Sequence, residues 1–131
     1  MYRLDKLATL AKELGFTITR PTEHRVDVEL APGVSLIFEN LVDEDDTIVC
    51  FERTPWHSHG ILTFLSDDGT YLECDELELL VALSTGDLLV VSSLRDGALT
   101  DRWLSHKDER LETEDLEPGE ELRALRVRGR K

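Results

Sequence analysis

The chain has 131 residues, with 28 acidic side chains against 15 basic ones, and a net charge of −13 at pH 7. That length fits a single domain, 1–131, able to bury about two thirds of the surface its unfolded chain exposes. A hydrophobic fraction of 40% argues for a packed core rather than a disordered chain. No apolar run approaches the ~20 residues of a membrane-spanning helix. The N-terminal MYRLDKLATLAKEL puts charges where a signal peptide has its apolar centre, so a cytoplasmic location is expected.

The charge is unevenly placed. Residues 41–120 hold 21 acidic and 5 basic side chains, whereas 121–131 hold 1 and 5. An acidic body of this kind repels nucleic acid phosphates and anionic lipid, and speeds the approach of a cationic protein. Nucleic acid and membrane are therefore not the expected partners. The basic end, 121–131, reads as a last strand with a frayed tail. Cys50 and Cys74 each lie in an apolar strand-like run, which suits reduced, buried thiols.

In chain order, Leu4, Leu7, Ala11 and Leu14 recur at helical spacing before Gly15, which predicts a helix over about 3–14. FTITR (16–20) and RVDVELA (25–31) read as strands, the second alternating Val26, Val28 and Leu30 with polar residues. APGV is a turn, and VSLIFEN continues the alternation, so 25–39 reads as an antiparallel hairpin. LVDEDDTIVCFER repeats the pattern around an acidic turn. ILTFLS, DDGT and YLEC make a further hairpin.

DELELLVALSTG changes period and predicts a second helix over about 76–85, with Asp75 and Glu78 as its capping box and Gly86 at its end. Leu77, Leu80, Val81 and Ser84 are its expected shared face. LLVVSSLR is a continuous apolar run, expected as a central strand, joined to ALTDRWLSH by Asp96-Gly97. The polar KDERLETEDLEPGEE precedes the final strand. The fold class is α+β: a mainly antiparallel sheet of about six to nine short strands with two helices.

TPWHSHG offers the most specific chemistry. Alternate residues of an extended segment point the same way, so His57 and His59 can present two imidazoles to one metal ion. A third ligand would come from Glu52, Asp67, Asp68, Cys50 or Cys74. Two families use His-x-His in this manner. Cupins place a glutamate four or five positions after the second histidine, where this chain has Thr63 and Phe64. JAMM-type metalloproteases place seven residues and then Ser-x-x-Asp, where this chain has six residues before Ser66-Asp67-Asp68-Gly69.

Neither continuation is present, so a metal-dependent hydrolase or metal-binding domain is the alternative reading, and no metal or other cofactor is expected. No nucleophile elbow or phosphate-cradling glycine loop occurs, and Ser58 falls on the opposite side of a strand from its histidine neighbours. No catalytic residue is expected. The acidic turn Asp43-Glu44-Asp45-Asp46 lacks the alternation and central glycine of a calcium loop and reads as a docking element.

Trp56 and Trp103 are the large amphipathic side chains suited to anchoring an interface, and each equally suits packing at the rim of the core. Glu76, Glu78 and Asp87 extend the acidic surface. In size, charge and mix of elements the chain resembles the small immunity proteins of bacterial polymorphic-toxin systems. That resemblance implies a non-catalytic cytosolic protein that covers the active site of a basic toxin domain. Asp43, Glu44, Asp45, Asp46, Trp56, His57, His59 and Trp103 are the expected contact residues.

Overall fold

The structure, a computed structural model, describes residues 1–127. Helix α1 (Leu4–Glu13) buries Leu4, Leu7, Ala8 and Ala11. Its end is closed by two backbone bonds, Phe16 N–H to the Ala11 carbonyl at 2.9 Å and Gly15 N–H to Lys12 at 3.0 Å. This double closure needs the left-handed backbone that Gly15 adopts at φ 88°.

Strands β1 (Thr17–Thr22), β2 (Arg25–Ala31), β3 (Val34–Leu41), β4 (Asp46–Phe51) and β5 (His57–Ser58) follow one another in space as in sequence, all antiparallel. Facing residues share a side of the sheet, so the pairs Val28↔Leu36, Phe38↔Val49 and Leu36↔Phe51 build one buried face. Arg25, Asp27, Glu39 and Cys50 fall on the other.

The remaining strands form two further antiparallel sheets. β6 (Leu62–Leu65) pairs with β7 (Tyr71–Cys74). β8 (Leu88–Arg95), β9 (Ala98–His106) and β10 (Glu120–Leu125) take the order β10-β8-β9, which makes LLVVSSLR the central strand that its continuous apolar character predicts. The α+β class holds, with antiparallel pairing throughout. The described strands number ten because WHSHG itself contributes β5. Side chains from α1, from all three sheets and from the second helix meet in one core around Leu7, Phe38, Leu80 and Val90.

Helix α2 (Glu76–Thr85) starts on the expected capping box: Asp75 accepts from Leu77 and Glu78 N–H, and Glu78 returns to the Asp75 N–H. Its buried face differs from the expected one. Glu76, Leu79, Leu80, Ala82 and Leu83 face inward, while Val81 is 43% exposed. ELELLVAL is apolar nearly all round, so periodicity does not select a face; burial of Glu76 against Arg3 accompanies the observed rotation.

The C-terminal strand forms where expected. Val127 is buried in the core and Arg126 donates to the Thr85 carbonyl at 3.0 Å, so the described part of the tail is anchored rather than frayed. The rest of the expected tail, 128–131, lies outside the described residues.

Candidate functional site

The acidic turn is built by the step from β3 to β4. Val42–Glu44 form one 3-10 turn, and Asp45 takes the left-handed conformation at φ 51°, which aspartate tolerates better than most residues. Asp43, Glu44, Asp45 and Asp46 are all exposed. Among the described residues none of them forms an ion pair with lysine or arginine. Asp46 Oδ2 lies 3.4 Å from His59 Nδ1. A cleft of about 430 Å³ separates Val42, Asp43 and Glu44 from Thr22 and His24.

The WHSHG stretch lies on the edge of β4. The register Val49↔Ser58 and Cys50↔His57 turns Ser58 toward the core side and His57 outward beside Cys50. Thr47 secures the end of the stretch: its hydroxyl accepts from Gly60 N–H at 2.8 Å, and its carbonyl lies 2.5 Å from His59 Nδ1. The Tyr2 hydroxyl donates to the Gly60 carbonyl at 3.3 Å.

Both imidazoles are held through Nδ1, His57 against the Pro55 carbonyl at 3.1 Å and His59 against Thr47. A carbonyl only accepts, so each Nδ1 carries its hydrogen, and each Nε2 has no hydrogen-bond partner among the described residues. The ring centroids are 5.4 Å apart with planes at 84°. Among the described residues no group of three or more His, Cys, Asp or Glu side chains is placed to hold a metal ion.

Cys50 faces His57 across the strands, Cys74 is buried in the core, and Asp67 and Asp68 lie in the β6–β7 turn. Burial pushes the Cys74 thiol up to about 11, with Glu78, Asp75 and Asp87 adding to it. Burial also raises Cys50, and nearby Arg25 offsets only part of that rise. Both cysteines are free thiols, kept protonated at neutral pH and so poor nucleophiles and ligands.

The expected contact residues divide. The turn 43–46 and the two histidines form a contiguous acidic and imidazole surface joined at Asp46 and His59. Trp56 instead packs on the core, its ring 5.9 Å from Phe51, and its backbone N–H donates to Asp101 Oδ1 at 3.0 Å. Trp103 stands on β9 opposite Val91 and is partly buried. Two of the acids expected to extend the acidic surface are also engaged: Glu76 is buried against Arg3 at 2.8 Å, and Asp87, just past α2, pairs with Lys107 at 3.0 Å.

Sequence reasoning passed over Ile61, Leu65 and Tyr71, which are among the most exposed large apolar side chains of the described chain. The signal was available. Leu62, Phe64 and Leu65 make β6 apolar on both sides, with Ile61 just before it, and a two-stranded hairpin has only one side to bury. No protein-family model, curated protein or solved structure matches this chain. Among the described residues, no helix is long and apolar enough to cross a membrane.

Proposed function

We propose that this chain is a non-catalytic binding protein that captures a basic protein partner, in the manner of an immunity protein covering a toxin domain. The observation that supports this reading is the exposed turn 43–46. Its carboxylates meet no lysine or arginine among the described residues, although the chain supplies cations elsewhere to Asp5, Asp27, Asp75 and Asp87. Carboxylates left in water hold their field for an incoming partner, which raises the association rate more than the lifetime of the complex.

The test is to express the chain with the product of the neighbouring reading frame on its chromosome. Growth rescue is then scored, and association is measured at low and high salt. A salt-sensitive complex whose association rate falls about tenfold or more in Asp45→Lys supports the reading. A neutral partner, or a rate indifferent to salt and to Asp45→Lys, would sink its electrostatic part.

A second reading, a metal-binding domain or metal-dependent hydrolase, is favoured by one observation: both Nε2 atoms of His57 and His59 lack a hydrogen-bond partner among the described residues while carbonyls hold Nδ1, the arrangement that orients histidine ligands. Elemental analysis of tag-free protein decides it. Stoichiometric zinc or iron that disappears in His57→Ala would replace the first reading.

A further inference from the structure

The β6–β7 hairpin carries an apolar surface that the fold does not use. Leu62, Phe64 and Cys74 turn into the core, and the pairs Leu62↔Cys74 and Phe64↔Leu72 line that inner side. The alternate positions stand in water. Leu65 and Tyr71 face each other across the hairpin at 61% and 65% exposure, and Ile61, at 63%, lies at the mouth of β6 two residues beyond His59. Exposed leucines scattered singly need no explanation, but a leucine and a tyrosine facing each other across two strands, both in water, form an apolar pair that the fold leaves uncovered.

The rim of this surface is anionic. Glu73 shares the exposed side of β7 with Tyr71, and Asp67 and Asp68 form the turn. Hydrogen bonds from the Ser66 and Thr70 hydroxyls and the Thr70 N–H hold the Asp68 carboxyl at about 2, so it is charged at any physiological pH. From Thr54 to Leu94 the sequence contains seven acidic residues and no lysine or arginine. A second copy of this chain would bring one acidic rim against another, and an anionic lipid surface would be repelled in the same way. Electrostatics therefore select a cationic occupant.

We propose that the outer side of the β6–β7 hairpin, with Leu65 and Tyr71 paired at its turn end and Ile61 at the opposite end of β6, is the apolar anchor for a protein partner whose apolar contact is ringed by lysine and arginine. The assignment rests on the basic-partner reading above and deepens it. The turn 43–46 and the hairpin acids steer the encounter, and the aromatic–aliphatic pair slows release. Tyr71 suits the part, since a tyrosine buries a large ring at the cost of few rotatable bonds and keeps a hydroxyl for the wet rim.

The test uses the full chain in the cell that encodes it. A photo-reactive phenylalanine analogue is placed at position 71, at position 65, and at exposed Thr19 on β1 as control. The expected result is one protein of net positive charge cross-linked from 65 and 71 and not from 19. That protein, purified, should bind Tyr71→Thr and Leu65→Thr about tenfold or more weakly than wild type. The unfolding midpoints of both variants should be unchanged, because threonine keeps a strand-forming side chain and neither site is buried.

Cross-linking to a second copy, or equal labelling from position 19, would overturn the assignment. If both threonine variants bind like wild type while Asp45→Lys binds weakly, the hairpin anchor falls and the basic-partner reading stands. If no cationic protein is cross-linked from any position, both fall.

Discussion

Arg3 holds Glu76 twice, its guanidinium 2.8 Å from one carboxylate oxygen and its backbone N–H 2.9 Å from the other, across 73 residues of sequence. The carboxylate is 6% exposed. The contact fastens the start of α1 to the start of α2, and Glu76→Ala leaves the Arg3 N–H without its acceptor. Loss of about 2–3 kcal/mol is expected in urea unfolding, against a smaller loss for Glu76→Gln, which keeps an acceptor oxygen.

The capping box at α2 shares Arg3 with that contact, since the same guanidinium lies 3.0 Å from Asp75 Oδ2. Burial works to raise the Asp75 carboxyl, but hydrogen bonds from Glu78 and Leu77 N–H and the nearby Arg3 outweigh it, and the net direction is down. Asp75→Ala should cost about 1–2 kcal/mol, and Asp75→Ser less, because serine also accepts from the first turn. Thermal unfolding followed by circular dichroism at neutral pH reads both.

Acid should loosen the β6–β7 turn at an unusually low pH. Asp68 has a folded-state value of about 2 against an ordinary 3.8, set first by the Ser66 hydroxyl and then by Thr70. A depressed carboxylate contributes stability that is complete above its unfolded value and is lost as pH falls through the folded one, here from about 4 down to about 2. Protection of the Thr70 amide, taken as exchange relative to its intrinsic rate at each pH, should fall across that window in the wild type. In Asp68→Asn it should be low and independent of pH, and a wild-type protection constant over the same range would refute the assignment.

The two cysteines should differ in reactivity. Cys74 is 1% exposed and its thiol is raised to about 11, whereas Cys50 is partly exposed on the outer side of the five-stranded sheet. Native protein treated with iodoacetamide at pH 7.5 should be modified at Cys50 first, with Cys74 reacting only as the chain unfolds. Mass spectrometry of the time course would expose the opposite order.

Gly86 ends α2 at φ 84°, and a Cβ there would clash with the Arg126 guanidinium. Gly86→Ala therefore combines backbone strain with displacement of an arginine that bonds the Thr85 carbonyl. A destabilisation of about 1–2 kcal/mol is expected, measured by urea unfolding. Gly97→Ala, where the same conformation has open space around it, should lose less.

Residues whose signal is local were legible in the sequence. RVDVELA alternates cleanly and forms β2 at the bounds its pattern gives; Asp75 and Glu78 announce the start of α2, and Gly86 its end. The division into three sheets was not legible, because it depends on which strands meet through long-range pairing. The inward turn of α2 was hidden by its nearly uniform apolarity, and burial of Glu76 by a partner 73 residues away. At the candidate site, the exposed turn 43–46 and the outward placement of His57 could be read from turn chemistry and period two. The inward packing of Trp56 on Phe51 and the outward stance of Leu65 and Tyr71 depend on which side of a strand finds a neighbour.

The order β1-β2-β3-β4-β5 against β10-β8-β9 has a kinetic consequence. The first sheet is a meander in which every strand pairs with its predecessor after a short connection, so each step closes a small loop. β10 must return across the whole of β9 and the polar 107–119 segment before it finds β8. Closing that larger loop costs more chain entropy, and contacts between distant residues form late. The meander should therefore be the early-organised part of the molecule, with the C-terminal strand arriving last. A nascent chain halted before residue 120 would hold the acidic turn in place while one flank of its central LLVVSSLR strand is still open.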